Sequence, residues 1–181
     1  NPNTAFGHDD TIPYPHYKQA MDYELEIAAI IGKGGMNIKA EDAEKHIFGY
    51  TIFNDWSARD VQRKEMVVGL GPAKGKDFAS AFGPVIVTRE AIADKATGKS
   101  GVYDLEMRAR VNGVEMSKGN LKDIFWSFGE IIARASQSSM LLPGDVICTG
   151  TPAGLGGFTD GQTVDITIDG IGTLSNPARN R

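Results

Sequence analysis

Strict alternation of apolar and polar positions marks the middle of the chain. In "DLEMRARVNGVEM" (104–116), Leu105, Met107, Ala109 and Val111 alternate with Glu106, Arg108 and Arg110. That period of two predicts a strand with one wet face, and Asn112-Gly113 predicts a type I′ hairpin turn. "ELEIAAIIG" (24–32) reads as another strand, but after Glu26 it is apolar without interruption, as in strands covered on both faces. "YTIFND", "GPVIVT", "PGDVICTGT" and "GQTVDITIDGIGTLSN" add further short strands, the last with an Asp169-Gly170 turn. A period of 3.6 appears in "NLKDIFWSFGEIIARAS", where Asn120 is the expected N-cap and Leu121, Ile124, Phe125, Phe128, Ile131, Ile132 and Ala135 form an apolar stripe. A shorter helix is expected in "NIKAEDAEKHIFGY", with Ala43, Ile47 and Phe48 at helical spacing and Gly49 as its stop. "SARDVQRKEM" suggests a helical turn, and "GLGPAKGKDFASAFGP" (69–84) a long glycine-rich loop of the kind that usually serves function.

These elements predict a β-rich α+β fold: a mixed, mainly antiparallel β-roll or sandwich with one main packed helix. A length of 181 residues suits one catalytic domain, residues 1–181, with residues 1–21 as a loop-like lead-in. The chain opens "NPNTAFGHDD" without an initiator Met, so an N-terminal part of the native protein is expected to be missing. The 22 glycines point to many turns. A net charge of −4 and a pI near 5.4, with no basic run, give no footprint for nucleic acid or an anionic membrane. No apolar stretch is long enough for a membrane span and no signal peptide is visible. The single cysteine, Cys148 in "VICTG", cannot form an internal disulfide and fits a reducing, cytoplasmic setting.

The chemistry begins with Glu24 and Glu26. Two residues apart in a strand, they point to the same side, where two negative charges repel and neither is cheaply buried alone. An exposed face paired with neighbouring lysines would account for them. The apolar continuation of the strand argues instead for an enclosed space, and a third acid, Asp55, ends the apolar strand "GYTIFND". Three carboxylates from two strands make an all-oxygen site for a hard divalent cation, Mg²⁺ first and then Mn²⁺ or Ca²⁺. Elsewhere the residues leave alternatives open. Arg59 can pair with Asp60 or Glu65 on its own helix, and Lys74 competes with Lys76 for any role in the glycine-rich loop. "GPAKGK" is one residue short of a phosphate-binding loop and has Asp77 where that motif needs a hydroxyl.

Five ordered segments, "DYELE", "FNDWSARDVQ", "GLGPAKGKDF", "PGDVICTGTPAGLG" and "GIGTLSN", resemble the C-terminal catalytic domain of the fumarylacetoacetate hydrolase family from about residue 22 to the end. The resemblance implies that Glu24, Glu26 and Asp55 are the metal ligands. It implies that Arg59, Gln62 and Lys76 are catalytic groups around the substrate, and that Gly150 and Thr151 bind substrate oxygens. The function it implies is a divalent-metal-dependent hydrolase that cleaves a carbon-carbon bond in small β-dicarbonyl or 2-oxo acids, of the acylpyruvate or fumarylacetoacetate type, through a metal-stabilised enolate. One alternative is a 2-oxo dicarboxylate decarboxylase or isomerase on the same scaffold, and another is a non-catalytic, metal-dependent small-molecule binding protein. The expected partner is a small oxo acid, and the resemblance implies a homodimer. The family's general-base histidine has no match here: His8, His16 and His46 fit no expected position.

Overall fold

Two five-stranded sheets face each other across one apolar layer, and the alternation along each strand decides which side chains enter it. The computed structural model describes residues 1–16, 20–153 and 156–180. In chain order the strands are β1 (Ala5–Phe6), β2 (Ile12–Pro13), β3 (Met21–Asp22), β4 (Glu26–Ile31), β5 (Ile47–Asp55), β6 (Ser57–Ala58), β7 (Ser80–Val87), β8 (Glu106–Val111), β9 (Val114–Asn120), β10 (Val146–Cys148), β11 (Thr163–Ile168) and β12 (Gly172–Arg179). The α-helices are α1 (Arg59–Glu65) and α2 (Phe128–Ala135). The first sheet runs β1-β7-β5-β4-β10, the second β2-β12-β11-β8-β9, and β3 with β6 forms a separate ribbon. Among the described residues only the short edge strands β1 and β2 pair in parallel, so the sheets are mixed and mainly antiparallel, as the sequence predicts.

The hairpin of β8 and β9 forms with the expected register, Val111 opposite Val114, and Asn112 and Gly113 both take positive φ (48° and 81°). Met107, Ala109 and Val111 point into the core, where they meet Val164, Ile166 and Ile168 of β11. From the first sheet come Ile27, Ala29, Ile31, Tyr50 and Ile52. The opposite face of that sheet carries Ala28, Ile30, Thr51 and Phe53, and the acidic residues stand at one end of it. No helix among the described residues is long and apolar enough to cross a membrane.

Four expectations need correction. The helix expected from Asn120 starts at Phe128 instead. Asn120 does cap, accepting from the Lys122 N–H, but only a single 3₁₀ turn (Leu121–Asp123) follows before Ile124 turns extended (ψ 132°). Ser127 then opens α2 with a reciprocal box: its hydroxyl accepts from the Glu130 N–H, and the Glu130 carboxylate accepts from the Ser127 N–H. The expected stripe is therefore split, with Leu121, Phe128 and Ile132 buried and Phe125 79% exposed. The second correction concerns "AEDAEKH", a 3₁₀ helix (Ala40–His46) that ends before Ile47. Ile47 and Phe48 open β5, and Gly49 is a strand residue whose Cβ would collide with the Val87 backbone. Third, the glycine-rich loop is shorter than expected, because Ser80 to Pro84 already belong to β7. Fourth, the lead-in is stitched into both sheets, β1 beside β7 and β2 beside β12, with Ile12 fully buried.

Removing the Ser127 hydroxyl tests the real start of α2. Ser127→Ala should cost about 1 kcal/mol, lowering the melting temperature by about 2–4 °C in a chain of this size, whereas Lys122→Ala should leave the α2 signal in circular dichroism unchanged.

Candidate active site

Antiparallel pairing of β4 with β5 puts the start of one strand beside the end of the other. Glu26 faces Phe53, and the same register carried two residues further sets Glu24 opposite Asp55. Opposite residues share a face, so all three carboxylates emerge on the side of the sheet away from the core. An oxygen from each lies within 4.8 Å of the others. Glu24 precedes β4 proper, and side chains replace the ladder there. Its N–H donates to Asn54 Oδ1 (2.9 Å), and the Leu25 N–H donates to Thr151 Oγ1 (3.1 Å). Glu26 is almost fully buried, and its carboxyl accepts the Gly150 N–H at 2.7 Å.

Two cations stand against this cluster. Lys76 Nζ lies 2.8 Å from Glu24 and 2.9 Å from Asp55. Arg59 is forked: Nε donates to Asp22 (2.8 Å), and Nη1 lies 2.8 Å from Glu24 and donates to Gln62 Oε1 (2.9 Å). Its Nη2 is buried and has no hydrogen-bond partner among the described residues. The alternatives open in the sequence are thereby decided. Arg59 pairs with neither Asp60 nor Glu65, and Lys74 sits on the surface, 4.0 Å from Asp77. Lys76 reaches the acids because Glu65 holds its loop: the Glu65 carboxylate accepts the N–H groups of Ala73 (2.8 Å), Lys74 (2.7 Å) and Gly75 (3.0 Å). The loop passes so close to α1 that a Cβ on Gly75 would stand 2.8 Å from the Gln62 nitrogen, which no side chain allows.

Charge explains the protonation pattern. Burial, then the hydrogen bond and charge of Glu24, push the Glu26 carboxyl up to about 9, against the pull of the Gly150 N–H. Burial also works to raise Glu24, but the hydrogen bond from Glu26 and the ammonium of Lys76 outweigh it and leave Glu24 below the usual carboxylate range. Asp55 is raised by burial, with Lys76 opposing. In effect Glu26 keeps a proton and shares it with Glu24. Burial raises the Cys148 thiol as well, so this half-buried cysteine is no nucleophile.

All eight expected residues, Glu24, Glu26, Asp55, Arg59, Gln62, Lys76, Gly150 and Thr151, thus meet at one end of the first sheet. The polar groups of Gly150 and Thr151 are engaged by Glu26 and Leu25. Residues 154 and 155 of the segment "PGDVICTGTPAGLG" lie outside the described residues. Sequence reasoning missed Asp22, Asn54 and Glu65. Asp22 was within reach, since it continues the alternation of Glu24 and Glu26 backwards onto the same side. Glu65 had no such signal, because its partners are backbone amides. Neither His8, which accepts from the Ser175 N–H, nor His46, bonded to the Lys33 carbonyl, joins the cluster.

Residues 1–179 match the family model described as fumarylacetoacetate (FAA) hydrolase C-terminal. The chain is 40% identical over 184 residues to a Bacillus subtilis protein named oxaloacetate tautomerase YisK, covering 97% of this chain and 58% of that one. It superimposes on a 5-carboxymethyl-2-hydroxymuconate delta-isomerase from Mycobacterium smegmatis with a TM-score of 0.86 and 38% identity, covering 98% of this chain and 66% of that one. With a Pseudomonas aeruginosa fumarylpyruvate hydrolase, solved with Mn²⁺ and pyruvate, the TM-score is 0.84 at 27% identity, covering 98% and 75%. The chain spans little more than half the length of the Bacillus relative.

Two outcomes check this geometry. Glu26 binds its proton far more tightly folded (about 9) than unfolded (near 4.5), so it stabilises the metal-free fold fully below pH 4.5 and loses that contribution as pH rises toward 9. In EDTA, Glu26→Gln should therefore melt above the parent at pH 8, with the gap closing toward pH 4.5. Added Mg²⁺ should raise the parent's melting temperature and leave the variant's unmoved; equal melts at both pH values would contradict the buried proton. Glu65→Ala should speed amide exchange at Ala73, Lys74 and Gly75 while leaving β4 protected.

Proposed function

The chain belongs to the fumarylacetoacetate hydrolase family, and from that premise we propose that residues 1–181 form the catalytic domain of a divalent-metal-dependent enzyme that moves protons on small 2-oxo acids. The reaction is tautomerisation or isomerisation, with decarboxylation possible on the same scaffold. Carbon-carbon hydrolysis, the expectation from the sequence, is the second reading, and it is favoured by the resemblance to the fumarylpyruvate hydrolase.

The donor set fits a hard cation. Four carboxyl groups, those of Asp22, Glu24, Glu26 and Asp55, face two basic side chains, Lys76 and Arg59, so the cluster has room for more positive charge. Glu24, Glu26 and Asp55 would hold the ion, Mg²⁺ first and Mn²⁺ or Ca²⁺ next. When bound, a divalent cation supplies the charge that lowers the cost of an enolate's oxygens.

The chain's own residues supply the rest. The observation that carries the reading is the convergence of three carboxyl groups with the ammonium of Lys76 and the guanidinium of Arg59, a charge arrangement suited to a cation and an anionic 2-oxo acid. Asp22 and Gln62 hold the guanidinium in one orientation. Lys76 carries three rotatable donors beside Asp55 and Glu24, where it can hand a proton to an enolate carbon and take one back. Tautomerisation needs only proton transfers of this kind, whereas hydrolysis needs an activated water as well.

Two companion proposals follow. The outward face of the first sheet exposes Val85, Ile86 and Val146, which supports a homodimer, and the unpaired thiol of Cys148 supports a cytoplasmic setting.

Enol oxaloacetate presented to the Mg²⁺-loaded protein should convert to the keto form faster than in buffer, read by ultraviolet absorbance, and EDTA should abolish the gain. Lys76→Met should keep metal-induced stabilisation while slowing turnover about 100-fold or more. Unchanged turnover would remove Lys76 from the reaction, and saturable binding without conversion would favour a binding protein.

A further inference from the structure

A cleft of about 540 Å³ opens between the end of β9 and the segment from Thr149 to Ala153. Gly150 belongs to both places: its N–H holds Glu26, and it lines the cleft. Nothing lies within 4 Å of where a Cβ on Gly150 would stand, so the ledge between the acids and the cleft is open at that point. Leu121 and Ile124 contribute apolar surface, while Phe125 and Trp126, set edge to face with centroids 4.8 Å apart, are 79% and 59% exposed. Large aromatics left this open beside a concave, mainly apolar wall are the ordinary lining of a small-molecule site.

Charge narrows the ligand further. Among the described lining residues the one cation is Lys118, and Glu106 already holds it at 2.6 Å. The Asn120 amide donates to Asp104 (2.7 Å), and the remaining charge, Asp123, is negative. A second carboxylate entering here would find no unspent cation and one repelling acid.

We propose that this cleft takes the remote end of the substrate, and that this end is uncharged, planar and apolar: an aryl or alkenyl substituent on a 2-oxo acid. The inference rests on the reading of the acid cluster as a site for 2-oxo acids. It adds that the preferred substrate is a monocarboxylate with an unsaturated tail and not a four-carbon dicarboxylate. Trp126 and Phe125 are then specificity residues, with the tail against their faces while the keto acid head lies by Arg59 and Lys76.

Phenylpyruvate and oxaloacetate, compared on the Mg²⁺-loaded protein, separate the outcomes. The chain has two tryptophans, and Trp56 is fully buried, so a ligand in the cleft should quench Trp126 alone. Phenylpyruvate should quench fluorescence saturably, and Trp126→Phe should remove the quenching. Oxaloacetate should bind at least tenfold more weakly, and Trp126→Ala should reduce the ratio of kcat/KM for enol phenylpyruvate over enol oxaloacetate about tenfold. Equal or tighter binding of oxaloacetate, or a ratio unmoved by Trp126→Ala, would overturn the proposal. So would a loss of dimer in Trp126→Ala with the ratio intact, which would make the aromatics an interface. If neither acid is converted, the activity proposed above fails, while saturable quenching by phenylpyruvate that disappears in Trp126→Phe still supports the cleft.

Discussion

Electrostatic crowding at one end of the first sheet governs this structure. The antiparallel register of β4 and β5 brings Glu24, Glu26 and Asp55 onto one face, and their mutual repulsion must be met by positive charge or by protons. Lys76 and Arg59 approach to salt-bridge distance, and burial beside Glu24 pushes the Glu26 carboxyl up to about 9, which favours its protonated form. A rigid apolar sheet beneath is what allows such an arrangement to persist, since Leu25 and Ile27 anchor the opposite face of the same strand in the core.

Each cation depends on a second layer of contacts. Arg59 is held at the start of α1 by Asp22 from the β3–β6 ribbon, so a two-stranded element otherwise peripheral to the sheets orients the donor fork. Lys76 depends on Glu65, whose carboxylate gathers three successive amides and folds the glycine-rich loop back against α1. The role of half-buried Glu65 is geometric: it fixes where the loop ends, and so where the ammonium of Lys76 lies.

The surroundings of the acids divide into two apolar regions with different consequences. One is the outward face of the first sheet, where Phe53 and Phe82 stack next to the cluster and Val85, Ile86 and Val146 lie exposed beyond them. The other is the cleft past Gly150, walled by Phe125 and Trp126. On the proposed function, the acids and their cations handle the reacting head, and the cleft's residues select what is attached to it.

Local pattern was enough to show the hairpin at Asn112-Gly113, the longer strands of both sheets though not β1 and β2, and the acids at 24, 26 and 55, because alternation and turn chemistry act over a few residues. The resemblance of five segments added Arg59, Gln62, Lys76, Gly150 and Thr151. The sequence alone did not separate Lys76 from Lys74, or reveal that Arg59 reaches back to Asp22, because those choices depend on a loop fastened through backbone amides that carry no residue signature. Nor did it locate the start of α2, where the box of Ser127 and Glu130 prevails over an apolar stripe that begins in the sequence just after Asn120. The cleft too belongs to tertiary structure: Trp126 and Gly150 are distant in sequence, and only the meeting of one sheet's edge with the other's brings an aromatic wall beside a buried cluster of charge.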